Sequence, residues 1–510
     1  MRKIFTNLFI GFVLIVSVVL FVLTIRGDKG DPIAFQDDYD SRVGGPFELT
    51  NSNSRYALTE SIVNQGTFLF DDFQARFAAP DMVHYNGKFF SIFTPGISFI
   101  GIPFYMVGKY FGIPQLLTYL STHLFALINV FLIAFITVKL GGKIYQGLLG
   151  GLIFLFGTNA LSYSLTLTQH HASTFLVLLG ILNALEKRTF ISNILFGAIF
   201  GIGLLVDIPN LFLQLPVVLY VLYKNFVFEE LTDKIKFGIK IGTMGLVIGL
   251  IPFLLLFGFY NYQTAGSYGK IAQFIGRSDY PPPIKKAAVR DVSVEKKNSQ
   301  QKLIKVPFDT RTQLNGLYIL LFSNERGIFY YSPILLAGVV GLFIAYKNRE
   351  HRKVSILIFS VVCINIILYS MFADPWGGWA FGPRYLIPAS ALLSAGIGIA
   401  VWRFVRNPIF LIAFFIMLFY SVGVSFSGAL TTNAVPPKGE AQNLITPIPY
   451  TYKYNFQFID KNESGSLIYN LFFNYLISLR TFLYVLTVTF VSLVSSLYLM
   501  VFFKRREINS

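Results

Sequence analysis

Pro95-Gly-Ile-Ser-Phe-Ile-Gly-Ile-Pro-Phe-Tyr-Met-Val-Gly-Lys-Tyr-Phe111 decides the topology of this chain, because whether it crosses a membrane sets which side every later residue faces. It is apolar enough to suggest a span. Gly96, Gly101, Pro103, Gly108 and Lys109 make it a poor one, and a helix lying in the membrane interface accounts for it better.

The surrounding sequence leaves no doubt that a membrane is involved. Of 510 residues, 54% are hydrophobic and only 13% charged, too few charges to cover a soluble surface of this size. Apolar runs long enough to cross about 30 Å of hydrocarbon as helices recur from end to end. They cover 4–25, 115–138, 144–165, 172–185, 190–206, 211–223, 237–260, 328–346, 354–371, 386–401, 409–425 and 481–503. The first is too long for a signal h-region and lacks a small-residue cleavage site, so it reads as a retained anchor.

Charge orients these runs. With the amino terminus inside and Pro95–Phe111 not crossing, every compact basic cluster falls in the cytoplasm: Lys139 with Lys143, Lys187 with Arg188, Lys234 to Lys240, Lys347 to Lys353, Arg403 with Arg406, and Lys504 to Arg506. If that stretch crosses, all of them move outside, against the positive-inside bias. The expected fold is therefore an all-α polytopic membrane protein. It has about 12 transmembrane helices, interfacial helices in the first outer loop, and both termini on the cytoplasmic side of the plasma membrane. A rival with an outside amino terminus and thirteen crossings changes only the side of residues 27–94.

Two units are expected. Residues 1–346 form a transmembrane core with the first outer loop (27–94), the interfacial helix (95–111) and a basic outer loop (261–327). Residues 347–510 add further spans with outer loops 372–385 and 427–479. The net charge of +16 is spread over short loops, which orientation explains without nucleic acid. The single cysteine, Cys363, excludes an internal disulfide and a cysteine metal cage.

On this topology the informative polar residues gather outside. The first loop holds Asp37, Asp38 and Asp40, followed by Arg42. Neighbouring carboxylates suit a general base or a divalent cation, and a solvated acidic loop is the bland alternative. Asn51-Ser-Asn-Ser-Arg55-Tyr56 opens a short amphipathic helix capped by Ser or Asn. Asp81-Met-Val-His84-Tyr-Asn-Gly-Lys88 contains a hairpin turn at Asn-Gly.

Gln169-His170-His171 ends one run, and two imidazoles there suit phosphate or a metal. Asp207 sits at the next outer turn, where an acid must face a cavity to avoid lipid. Arg326 precedes the run at Ile328, with snorkelling as its plain explanation. Asp374-Pro-Trp376-Gly-Gly-Trp379-Ala-Phe-Gly-Pro-Arg384 describes a shaped turn with two ring systems and a guanidinium fork suited to phosphate.

In that order these pieces resemble the C-type (GT-C) superfamily of integral-membrane glycosyltransferases, which includes protein O-mannosyltransferases and aminoarabinose transferases. The resemblance rests on Ser54-Arg-Tyr56 leading to Gly66-Thr-Phe68, Tyr85-Asn-Gly-Lys-Phe-Phe-Ser91, His170-His171, Arg326-Gly-Ile-Phe-Tyr-Tyr-Ser-Pro333 and Trp376-Gly-Gly-Trp-Ala-Phe-Gly-Pro-Arg-Tyr385. It implies transfer of a sugar from a polyprenyl-phosphate donor to a glycan, glycolipid or protein acceptor outside the cytoplasmic membrane.

The resemblance also implies an acidic catalytic base in the first loop. Asp40 or Asp38, with Asp37 beside them, fills that role. Arg384, Arg326, His170 and His171 would hold phosphate, and Trp376 and Trp379 would stack on the sugar. Arg55, His84, Asp207 and Asp374 complete the candidate substrate site. No metal ligand set is assigned, and a divalent cation is the one cofactor considered. The chain departs from the family pattern where relatives often carry an acid, at Ser52 or Asn53, and where they often read Ser-Asp-Lys-Pro-Pro, at Ser91-Ile-Phe-Thr-Pro95. A lipid-linked sugar flippase and a non-catalytic scaffold are the alternatives. The scarcity of ionisable residues inside the runs favours chemistry at one surface over passage through the bilayer.

Overall fold

The computed structural model describes residues 2–27, 44–231, 234–239, 241–281 and 313–509. Helices dominate, and each apolar run carries one. Six are long and apolar enough to cross a membrane unaided: Pro114–Lys139, Met244–Ala265, Arg352–Ser370, Arg384–Phe404, Pro408–Leu430 and Leu479–Arg506. Shorter apolar helices occupy other runs, at Thr6–Val22, Ile144–Phe156, His170–Leu185, Phe190–Val206 and Leu335–Lys347. The run at 211–223 carries Leu215–Asn225. This is an all-α, multi-pass membrane protein.

The centre of the bundle is the helix Ile387–Phe404, in which every residue from Ile387 to Val401 is buried. Small residues let its neighbours approach backbone to backbone. A Cβ on Gly341 would stand 1.8 Å from the Gly396 carbonyl oxygen, one on Gly338 2.2 Å from that of Leu393, and one on Gly150 2.2 Å from that of Ser394. Lipid gives helices no hydrophobic reason to associate, so this close packing is the main source of their attraction.

Several boundaries differ from the sequence reading, each for a local reason. The run 144–165 breaks into Ile144–Phe156 and Ala160–Ser164. There the Thr158 hydroxyl donates to Phe154 O at 2.7 Å and accepts from Ala160 N at 3.1 Å, offering the backbone an alternative to the helical ladder. The run 328–346 breaks at Ser332-Pro333, where proline supplies no N–H. The run expected from Phe237 begins later, at Met244. Phe237 instead lies in a hairpin of strands Phe226–Leu231 and Lys234–Ile239, the second of which opens with alternating charged and apolar residues, Lys-Ile-Lys-Phe.

The longer polar loops are more structured than their polarity suggests. Helix Thr50–Gln65 begins after Leu49 without a side-chain cap, and all residues from Asn51 to Thr59 are buried, so it is not the Ser- or Asn-capped amphipathic helix expected. It packs against the strand Lys88–Ser91 and the helices Asp72–Ala78 and Gly96–Phe111. The hairpin turn falls at Asn86-Gly87, with φ of 51° and 74°. Gly96–Phe111 buries Ile97, Gly101 and Tyr105 and exposes Met106, Val107, Tyr110 and Phe111, the two-faced pattern of a helix lying in an interface. The region 427–479, read as a loop, contains helices Lys438–Asn443 and Lys453–Asp460.

One buried ion pair ties the first loop to the end of the helix Pro408–Leu430 and the residues after it. Arg26 bonds Glu48 and also donates to Gly428 O at 2.7 Å and Ala429 O at 3.3 Å. Glu48 accepts in turn from Gly44 N at 2.7 Å, Asn433 N at 2.7 Å and Thr432 Oγ1 at 2.5 Å. Both of its oxygens are fully engaged, so this carboxylate is a structural clamp.

Candidate active site

Three segments meet at one end of the bundle: the buried first-loop helix, the start of His170–Leu185, and the turn 374–385. Arg55 is 1% exposed and lies over the Phe93 ring at 3.9 Å. Its Nη1 donates to Asn51 O at 2.8 Å and its Nη2 to Gln169 Oε1 at 2.7 Å. Gln169 Nε2 donates onward to Asp207 Oδ2 at 3.3 Å. A cation and an acid from separate elements thus share one amide.

Burial dominates the electrostatics of both ends. It lowers the Arg55 pKa to about 10, opposed by the nearby charges of Asp207 and Asp81, so the group stays charged at neutral pH. It raises the Asp207 carboxyl to about 6, opposed by Arg55, by the bond from Gln169 and by Arg384. Asp81 is engaged separately, accepting from Thr50 Oγ1 at 2.8 Å and pairing with Arg277 at 2.9 Å.

The turn carries Arg384 into the same region. Gly377, Gly378 and Gly382 have φ of 73°, 63° and 62°, a conformation costly for any residue with a Cβ. A Cβ on Gly377 would also stand 2.8 Å from Arg384 Nε, so the guanidinium rests on bare backbone. Tyr385 stacks on Tyr369 at 4.4 Å with an interplanar angle of 4° and has the His170 ring 6.4 Å away. Tyr163 meets His170 edge-on at 5.2 Å, and its hydroxyl accepts from Phe381 N at 3.0 Å.

Arg326 builds this turn. Fully buried, it donates to Trp376 O at 2.9 Å, Gly378 O at 3.1 Å, Val435 O at 2.9 Å and Glu325 O at 2.8 Å. His171 is bonded through Nε2 to Ala160 O at 2.7 Å. Asp374 accepts from Gly377 N at 3.1 Å, closing the turn, and Trp379 Nε1 donates to Glu440 Oε2 at 2.6 Å. His84 stacks on Phe89 within its own hairpin, at 4.7 Å.

Arg55, His170, Asp207 and Arg384 are therefore brought together, and Trp376 belongs to the turn that carries Arg384. Asp37, Asp38 and Asp40 lie outside the described residues, as do Arg42 and residues 282–312 of the basic loop 261–327. Among the described residues no three His, Cys, Asp or Glu side chains gather as metal ligands. Gln169, Tyr369 and Tyr385 are participants that residue-type reasoning passed over. Gln169 stood beside the histidine pair, but nothing local says that it bridges two charges.

The site is short of acceptors. Arg55 Nε, His170 Nε2, Arg384 Nε and Trp376 Nε1 are all buried without a hydrogen-bond partner among the described residues. Buried polar groups are paired in the great majority of cases, so several nitrogens left over around two guanidinium groups mark a place for an anion.

No family model and no curated protein matches the chain. Among solved structures it is similar to ArnT from Cupriavidus metallidurans. The crystal structure of that protein bound to undecaprenyl phosphate is 13% identical, with a TM-score of 0.50, covering 98% of this chain and 76% of the other. The apo structure is 12% identical, with a TM-score of 0.49 and the same coverage. At this identity the likeness is one of fold alone: the chain shares its helical architecture with ArnT.

Proposed function

We propose that this protein is a membrane glycosyltransferase that moves a sugar from a polyprenyl-phosphate donor to an acceptor on the outer side of the cytoplasmic membrane. The observation that carries the reading is the set of buried, acceptor-less nitrogens around Arg55, His170, Arg384 and Trp376. The shared fold with a protein solved with undecaprenyl phosphate supports a lipid-linked phosphate as the anion.

In this reading the phosphate lies between Arg384, Arg55 and His170, whose positions are fixed before the donor arrives. Transfer breaks the bond between the anomeric carbon and a phosphate oxygen, and negative charge develops on that oxygen. Preorganised cations in a site shielded from water stabilise such charge strongly. The acceptor hydroxyl attacks the opposite face of the sugar, giving inversion, and gives its proton to a first-loop carboxylate, Asp40 or Asp38 with Asp37 beside them. Trp376 offers a ring for the sugar, while Arg326 acts by shaping the turn. Both termini face the cytoplasm, which puts the Arg384 turn outside.

The test is transfer itself. Membranes supplied with a radiolabelled prenyl-phosphate sugar pass label to an acceptor with the wild-type chain, and Asp40→Asn with Asp38→Asn abolishes it. Undiminished transfer by that variant removes those carboxylates as the base. A second reading, a lipid-phosphate binder without transferase activity, draws on buried Ser52 and Asn53 standing where relatives often carry an acid. It predicts donor binding with no transfer by the wild type.

A further inference from the structure

At the opposite end of the bundle, one length of the helix Ile387–Phe404 away from Arg384, the structure has a cavity that the transfer reaction does not use. Its volume is about 220 Å³. It lies between the end of Pro114–Lys139, the start of Ile144–Phe156, the end of Leu335–Lys347 and the last turns of Ile387–Phe404. Its floor is apolar and buried, formed by Leu140, Ala345 and Ile399, and its mouth carries Lys143, His351 and Trp402.

The mouth is a built feature. Gly141 has a φ of 89°, and a Cβ there would stand 2.3 Å from His351 Nε2, so the imidazole is seated against a turn that only glycine fits. Lys143 is exposed, and Gln146 Oε1 accepts from its backbone N–H at 2.8 Å, which fixes the turn that presents it. Arg505 lies 5.9 Å from the Trp402 ring and donates to the Arg403 carbonyl at 2.6 Å. Of the acids nearby, Glu186 is paired with Lys139 at 2.7 Å, and Glu350 is 3.8 Å from His351 with its side chain largely in solvent.

The positive-inside bias explains basic residues at this end of the bundle. It does not explain why two of them stand over an apolar-floored cavity with a tryptophan at its rim. Free phosphate alone would gain nothing from such a floor. A volume near 220 Å³ suits a phosphate with a few carbons attached, and is below the usual range for larger organic ligands.

We infer that this cavity binds a phosphate ester, namely the headgroup of an anionic phospholipid from the leaflet at the basic end. The phosphate sits between Lys143 and His351, and the glycerol rests on the apolar floor. The inference is independent of the transferase reading.

The experiment is native mass spectrometry of the purified full chain in detergent, titrated with phosphatidylglycerol or phosphatidylcholine. The wild type retains phosphatidylglycerol preferentially. Lys143→Glu weakens that retention at least about tenfold, the loss expected when a charge-assisted bond is removed. Lys143→Gln, which keeps the size of an exposed side chain, gives a weakening in the same direction. Arg406→Glu, with the same change in net charge outside the cavity, leaves retention unaltered. Lipid retained in excess inorganic phosphate assigns the site to the lipid, and displacement assigns the same chemistry to a soluble phosphate group. Equal loss in Lys143→Glu and Arg406→Glu, or equal retention of the two lipids by the wild type, overturns the inference.

Discussion

Arg55 and Asp207 are joined through one amide, because the Gln169 side chain accepts from the Arg55 guanidinium at 2.7 Å and donates to the Asp207 carboxylate at 3.3 Å. The link holds a buried cation and a buried acid from different elements in fixed relation. Among the described residues Arg55 Nε has no acceptor.

Asp207 carries a pH signature. Burial raises its carboxyl from 3.8 to about 6, so between those values the folded chain keeps a proton that the unfolded chain has released. Its contribution to stability therefore falls as pH rises through that window, by about 3 kcal/mol in all. Asp207→Asn removes this dependence. Thermal unfolding in detergent between pH 4 and 7 is expected to show the variant gaining on the wild type by that amount; parallel curves contradict the assignment.

Arg384 and Arg326 separate by role. Arg384 is proposed to meet the donor phosphate, and Arg384→Lys replaces a planar fork by a point charge. Its kcat/KM is expected to fall about a hundredfold or more, with little change in melting temperature. Arg326→Lys leaves backbone carbonyls of the 374–385 turn without donors, and its main effect is lost stability. A stable, inactive Arg326→Lys would place that guanidinium at the substrate.

The Arg26–Glu48 pair predicts a stability cost without a binding cost. Glu48→Ala leaves a fully buried guanidinium uncompensated and is expected to destabilise the protein by about 3–5 kcal/mol. Arg26→Met with Glu48→Leu, which removes both charges, recovers much of that loss. Melting temperatures of the two variants check it, and equal losses would show that the charges are not coupled.

Gly341 tests the packing of the central helix. With its absent Cβ only 1.8 Å from the Gly396 carbonyl oxygen, Gly341→Val forces two helices apart. A destabilisation of about 1–3 kcal/mol or more is expected from overpacking, measured by thermal unfolding.

The sequence carries the fold because lipid imposes a simple rule: twenty or so apolar residues form a helix, and basic loops orient it. The Asn86-Gly87 hairpin was equally legible, since its turn depends on two adjacent residues. The break at Thr158 was not, because hydropathy averages over a hydroxyl that bonds its own backbone.

The candidate site was legible in its residue types and only partly in their roles. Arg326 and Arg384 look alike in sequence, and only the turn's backbone shows that one is consumed by carbonyls while the other keeps a nitrogen free. Glu48 was invisible because its partners Thr432 and Asn433 lie 384 and 385 residues away.

Whether the site around Arg384 and His170 is built for a lipid-linked phosphate is measured most directly by binding of undecaprenyl phosphate to the purified chain, with undecaprenol as the control. The wild type is expected to bind the phosphate lipid and discriminate against the alcohol, and Arg384→Ala with His170→Ala to lose this discrimination. Equal binding of the two lipids by the wild type would contradict it.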